Sequence, residues 1–135
     1  MPLKVLELNH VALHVRDIDA SIHFYENILE LPRLPRPNFS FPGAWFAFGS
    51  QELHLIGDET LQPGERKHHH FALRIQDTYK AREHLEQKGM KNFRSHGLRP
   101  DSAVQLFFYD PDGYMIEMYS APPELLETET IYLPE

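Results

Sequence analysis

Imidazole and carboxylate side chains recur at matching points of an internal repeat in this 135-residue chain, and that recurrence is where its chemistry begins. Asn9-His10-Val11-Ala12-Leu13-His14-Val15 reappears about sixty residues later as His69-His70-Phe71-Ala72-Leu73-Arg74-Ile75. Each copy runs into an aspartate, Asp17 or Asp77, and each half closes on an apolar strand interrupted by a polar residue. In Glu52-Leu53-His54-Leu55-Ile56 that residue is His54, and in Met115-Ile116-Glu117-Met118-Tyr119 it is Glu117. The repeat therefore offers His10 with His54, and His70 with Glu117. Three imidazoles and a carboxylate at equivalent places of a repeated fold read as a site for one divalent metal. This ligand set suits Zn, Ni, Co, Fe or Mn, and ligand type alone does not choose among them. Such an ion can accept two adjacent substrate oxygens and stabilise negative charge as it develops.

The other polar candidates are weaker. An unpaired carboxylate between Ile116 and Met118 is expensive to bury, which makes Glu117 the strongest single signal. Within the triplet His68-His69-His70, the repeat selects His70, because His70-Phe71-Ala72-Leu73 matches His10-Val11-Ala12-Leu13. His14, His23, His84 and His96 read as surface or supporting residues.

These ligands need strands to hold them. From Leu6 to Val15, the aliphatic set Val11, Leu13 and Val15 alternates with His10, Ala12 and His14, so one face packs while the other presents imidazoles. Asp17 or Asp19 then caps a helix carrying Ile18, Ile22, Tyr25 and Leu29 on one stripe. Pro32, Pro35 and Pro37 forbid its continuation and predict an irregular connector. Strands near Ala44–Phe48 and Glu52–Ile56 follow, joined by Gly49-Ser50-Gln51. After a linker the pattern restarts: a strand at His69–Ile75, a helix from Thr78 to Lys88 closed by Gly89, and strands near Lys91–Ser95, Val104–Tyr109 and Tyr114–Tyr119. Asp110-Pro111-Asp112-Gly113 turns the last pair. The prediction is an α+β chain forming one domain over 1–135. Module one spans about 6–57, the linker about 58–67, module two about 68–120, and an acidic tail 121–135 carries Glu124, Glu127, Glu129 and Glu135.

Composition sets the surroundings. Hydrophobic residues at 41% are ordinary for a globular domain, and a formal net charge of −7 disfavours nucleic acid or an anionic membrane as partner. The absence of cysteine excludes disulfides, thiolate metal sites and cysteine nucleophiles. Met1-Pro2-Leu3-Lys4-Val5 lacks the features of a signal peptide, and no apolar run reaches membrane-spanning length, so a cytoplasmic location is expected.

With these residues in hand, the chain resembles the vicinal oxygen chelate superfamily of glyoxalases, bleomycin resistance proteins and extradiol dioxygenases, which also includes methylmalonyl-CoA epimerase and fosfomycin resistance proteins. The resemblance runs from about Leu6 to Ser120. It is carried by Asn9-His10-Val11-Ala12-Leu13, by Phe24-Tyr25-Glu26-Asn27-Ile28-Leu29-Glu30-Leu31, and by Phe107-Phe108-Tyr109-Asp110-Pro111-Asp112-Gly113-Tyr114-Met115-Ile116-Glu117. Phe41-Pro42-Gly43-Ala44-Trp45 followed by His54-Leu55-Ile56 is similar to a glyoxalase-like subgroup. The resemblance implies tandem βαβββ modules curling into a mixed sheet around a metal-binding cleft, commonly in homodimers. By position it gives His10, His70 and Glu117 as recurrent metal ligands, His54 as a more variable fourth ligand, and Glu117 also as catalytic base. In glyoxalase I proteins an Arg stands where this chain has His14, and an Asn where it has Asp58. The exchange of those groups points away from glutathione conjugates.

The expected activity is that of a metal-dependent lyase or isomerase acting on a small substrate with vicinal oxygens, with Trp45, Arg74, Arg99 and Phe108 as substrate contacts. Two other readings stay open. An extradiol Fe(II) dioxygenase would use His10, His70 and Glu117, and His54 would then fill a position needed by catechol or O₂. A non-catalytic antibiotic-binding protein would instead use aromatics such as Trp45, Phe46 and Phe108. Fosfomycin chemistry would want a more cationic cleft, for which Arg74, Arg94 and Arg99 are the second-half candidates.

Overall fold

The computed structural model describes residues 3–62 and 69–122. His68, the second half of the linker and the four tail glutamates lie outside the described residues. The chain divides into two compact units, with the boundary in sequence after Leu61.

In the first unit, β1 (His10–Val15) leads into α1 (Ile18–Ile22), and β2 (Arg33–Leu34), β3 (Gly43–Phe48) and β4 (Gln51–Gly57) follow. They form a four-stranded sheet in the order β1-β4-β3-β2, with β1 parallel to β4 and the other pairs antiparallel. The second unit repeats this plan with β5 (His70–Arg74), α2 (Thr78–Gln87), β6 (Phe93–Leu98), β7 (Val104–Tyr109) and β8 (Met115–Ser120), in the order β5-β8-β7-β6. Two βαβββ modules with mixed sheets are the α+β class read from the sequence. A parallel pair cannot be closed by a tight hairpin, so each module sends a helix across one face of its sheet.

The alternation in each strand decides which face the helix covers. Leu13, Val15, Phe46, Leu53 and Leu55 are buried on one face of the first sheet, with Phe24 and Tyr25 from the helical segment. Leu106, Phe108, Ile116 and Met118 form the matching core of the second, with Leu85 from α2. Asp17 caps α1 by accepting from Ala20 N at 3.1 Å, and Asp77 caps α2 by accepting from Tyr79 N and Lys80 N. Gly89 closes α2 at φ +92°, a left-handed value that glycine adopts without a Cβ penalty. In the β7–β8 turn, Asp110 Oδ1 accepts from the backbone N–H groups of Asp112 and Tyr114, both at 2.9 Å.

Several elements depart from the sequence reading. β1 begins at His10 rather than Leu6, because β4 starts only at Gln51 and leaves residues 6–8 without a strand to pair with. Leu3, Val5, Leu6 and Leu8 are consequently exposed. After Ile22 the helix widens into a π-helical stretch over His23–Ile28, closed by Leu29 N donating to Phe24 O at 2.9 Å. That i→i+5 geometry breaks the expected stripe and turns Phe24 and Tyr25 both inward, while Ile18, Ile22 and Leu29 are only half-buried. The proline-rich connector contains the short strand β2, which pairs with β3. β6 sits later than Lys91–Ser95, because pairing with β7 sets Phe93 opposite Phe108 and Leu98 opposite Val104. No helix of the described residues is long and apolar enough to cross a membrane.

Candidate metal centre

Register places the expected ligands. In the first sheet Ala12 pairs with His54 across the parallel β1–β4 ladder, and His10 lies two residues before Ala12 on the same face. In the second sheet Ala72 pairs with Glu117 across β5–β8, and His70 lies two residues before Ala72. His54 and Glu117 are thus equivalent positions of the repeat, on the face away from each core. Each sheet brings its own two ligands together.

In the first unit the two imidazoles stack with ring centroids 4.1 Å apart and planes 18° from parallel. Trp45, directly opposite His54 across β3–β4, covers the other side of His54 at 3.9 Å and 3°. His54 Nε2 donates to Glu52 Oε1 at 2.8 Å, and His10 Nδ1 donates to Asn9 Oδ1 at 2.8 Å. A ring nitrogen that gives its proton to oxygen leaves the lone pair on the other nitrogen, the form a metal ligand needs. Trp45 is therefore beside the candidate ligands of this unit. Arg36 lies over Gly43 on this face, and its guanidinium sits 4.9 Å from the Phe39 ring centroid and 5.0 Å from that of Phe41.

In the second unit Glu117 is only 5% exposed. Its Oε1 accepts from His70 Nε2 at 3.1 Å and its Oε2 from Gln105 Nε2 at 3.2 Å. Removing a carboxylate from water costs several kcal/mol. Two hydrogen bonds to a charged acceptor return about 1.5–3 kcal/mol each, so they roughly balance that cost without a large surplus. Phe107 stands edge-on to His70, with centroids 5.6 Å apart.

Phe108 is corrected by this geometry. It is fully buried in the core face of β7, so it cannot line a substrate site. Phe107 faces the ligands instead, opposite Glu117 in the β7–β8 ladder as Trp45 is opposite His54 in the first. Arg74 lies on β5 beside Tyr119, on the face of His70, and is exposed. Arg99 follows β6 with its guanidinium 5.1 Å from the Tyr119 ring, but Asp101 engages it. That contact holds the Asp101 carboxyl down to about 2 and raises Arg99. Glu52, Gln105 and Phe107 were not singled out as site residues. Strand parity marks all three, since they stand at the same alternation as His54 and Glu117.

His14 and Asp58 meet one another, with Nδ1 3.0 Å from Oδ2. Asp58 also accepts from Thr60 Oγ1 at 2.6 Å, and these contacts lower its carboxyl from the ordinary range, Thr60 foremost. His23 and His84 are exposed, and His96 is half-buried against α2, where its Nε2 is 3.0 Å from Thr78 Oγ1. Among the described residues no group of three or more His, Cys, Asp or Glu has metal-holding geometry.

The sequence profile of the Glyoxalase/Bleomycin resistance protein/Dioxygenase superfamily matches residues 7–118. The chain belongs to this superfamily. Among its curated relatives, "Glyoxylase I 4" of Arabidopsis thaliana is 30% identical over 128 residues, covering 87% of this chain and 72% of the relative. The lactoylglutathione lyase of Salmonella typhimurium is 29% identical over 126 residues, covering 86% and 93%. Among solved structures, a glyoxalase/dioxygenase from Nostoc punctiforme superposes with a TM-score of 0.71 at 26% identity, covering 90% of this chain and 99% of that one. The genomically encoded fosfomycin resistance protein of Listeria monocytogenes superposes with a TM-score of 0.74 at 21% identity, covering 90% and 98%, a likeness of fold. The glyoxalase superfamily profile spans both modules, and so takes in all four candidate ligands.

Proposed function

We propose that this chain is a metal-dependent lyase or isomerase of glyoxalase type, acting on a small substrate with vicinal oxygens. One divalent ion is assigned to His10, His54, His70 and Glu117, with the two modules working as one domain. The observation that carries this reading is the shared register. An imidazole pair in one sheet and an imidazole–carboxylate pair in the other occupy equivalent positions on equivalent faces. Neutral imidazole nitrogens with one carboxylate fit a divalent ion of borderline softness, and a cation would add the surplus stabilisation that buried Glu117 lacks. When bound, such an ion supplies a Lewis acid for two adjacent substrate oxygens.

The chain's own residues supply the proton chemistry. Glu117, whose Oε1 accepts from His70 and whose Oε2 accepts from Gln105, is the carboxylate assigned to take a proton from the substrate carbon. Trp45 and Glu52 restrain His54 through stacking and a hydrogen bond, which limits the reorganisation needed on binding. Phe107 offers an apolar wall beside His70.

Relatives are named for lactoylglutathione, but the mutual pairing of His14 and Asp58 supports a different substrate here. An imidazole already engaged by a carboxylate is a poor seat for a further carboxylate. The test is to assay metal-reconstituted protein against the methylglyoxal–glutathione adduct and against catechols under air. Turnover of neither fits the proposal. Efficient turnover of the adduct would remove the restriction on substrate, and oxygen-dependent ring cleavage with Fe(II) would replace the lyase reading with the dioxygenase. Once a substrate is in hand, Glu117→Gln should lower kcat by at least about 100-fold while leaving the thermal unfolding midpoint close to wild type, because an amide fills the space but accepts no proton.

A further inference from the structure

The face of the second sheet that carries His70 and Glu117 also carries a cation set there by an irregular strand. Between Phe93 and Ser95 the register of β6 against β7 shifts. Phe93 packs against Phe108 on the core side, while Ser95 lies opposite Phe107 on the ligand side. Such bulges re-aim side chains, and this one delivers Arg94 to the ligand face. Its Nη1 lies 3.2 Å from Met115 Sδ, and Met115 is the cross-strand partner of His70. His70, Arg94, Ser95, Phe107 and Met115 together line a cavity of about 410 Å³.

The acceptor is the telling feature. Arg82 faces Glu86 and Arg99 faces Asp101, whereas the hydrogen bond from Arg94 goes to a thioether. A guanidinium keeps its charge at any working pH and presents five donors in a planar fork, and thioether sulfur is a weak acceptor. An arginine so placed matches the two oxygens of a carboxylate. One guanidinium balances one negative charge, and the chain's formal net charge of −7 adds no general attraction for anions. That balance favours a monoanion over a dianionic phosphonate.

We propose that Arg94 anchors a carboxylate carried by the substrate, so that the substrate class is small vicinal-oxygen carboxylates with an apolar group packed on Phe107 and Met115. This rests on the functional reading above, because His70 joins the cavity to the assigned ligands. The anchor makes Arg94 a specificity-determining residue and leaves metal binding untouched.

The experiment compares two probes of matched shape on the full, zinc-treated chain by calorimetry: phenylglyoxylate, a monoanion, and 1-phenyl-1,2-propanedione, its neutral counterpart. The expected result is tighter binding of phenylglyoxylate, weakened at least about tenfold by Arg94→Met, with the neutral probe and the zinc stoichiometry unchanged. Arg94→Lys should recover part of the loss. Equal affinity for the two probes, no binding of phenylglyoxylate at millimolar concentration, or an equal loss of both probes in Arg94→Met overturns the anchor. Zinc binding without an Arg94-dependent preference sinks the anchor alone. An Arg94-dependent preference in protein that takes up no zinc keeps the anchor and removes zinc from the ions assigned to the site.

Discussion

His54 is the most constrained of the four assigned ligands. It is held between the Trp45 indole and the His10 ring, and Glu52 Oε1 accepts a hydrogen bond from its Nε2. A carboxylate bonded to a ligating imidazole fixes its orientation and raises its basicity, and loss of such a partner typically costs 10–100-fold in metal affinity. Glu52→Gln should therefore weaken metal binding by about that factor without changing stoichiometry, as read by competition with a chromophoric chelator. An unchanged affinity would show that Glu52 merely satisfies an imidazole. At this scale the sequence was informative for His10, His54, His70 and Glu117, because a repeat marks equivalent positions without coordinates. It misled at Phe108, where two adjacent phenylalanines on a strand must face opposite ways and composition does not say which faces the ligands. The pairing of Phe107 with Glu117 settles that choice. Nor did local pattern announce Gln105, a common residue type whose meaning comes only from the carboxylate across the ladder.

Helices and strands were legible where a cap, a glycine or an alternating pattern marked them. α2 matches its reading because Asp77 and Gly89 bracket it, and β7 because its apolar alternation is complete. The π-helical stretch after α1 was not legible: the stripe of Ile18, Ile22, Tyr25 and Leu29 fits a regular helix, and tertiary burial of Phe24 and Tyr25 overrides it. The start of β6 was missed for a similar reason, since its partner β7 sets the register. β6 and α2 are also joined by a titrating contact. His96 on β6 packs on Tyr79 with centroids 4.2 Å apart. Burial above all, and then the charge of Arg82, lower its ionisation below the ordinary value, against an opposing pull from Asp77. The neutral form is the one the fold favours. Its contribution to stability is complete above the unfolded value of about 6.5 and is lost as pH falls through the lowered native value. The urea midpoint of the wild type should fall more between about pH 7.5 and about pH 5.5 than that of His96→Gln. Identical pH dependence in the two proteins would remove His96 from the account.

Across the whole molecule, the repeat gives each unit a pair of candidate ligands, and exposed apolar side chains gather ahead of β1. Leu3, Val5, Leu6 and Leu8 stand 95%, 80%, 85% and 64% exposed, a concentration that association would cover. Homo-oligomers are most often two-fold dimers, so sedimentation equilibrium at high micromolar concentration should return twice the chain mass of 15.8 kDa. A monomer under those conditions contradicts the expected dimer. Whichever way the chains associate, the central claim is that His10 and His54 serve the same ion as His70 and Glu117. Each module offers only a pair of ligands, too few for the four-ligand coordination of a firmly held ion. Metal analysis of purified, metal-loaded protein, followed by crystallography at the metal's absorption edge, tests this most directly. About one divalent ion per chain is expected, with anomalous density within bonding distance of all four side chains. Metal content at background, or density seated away from these residues, would contradict it.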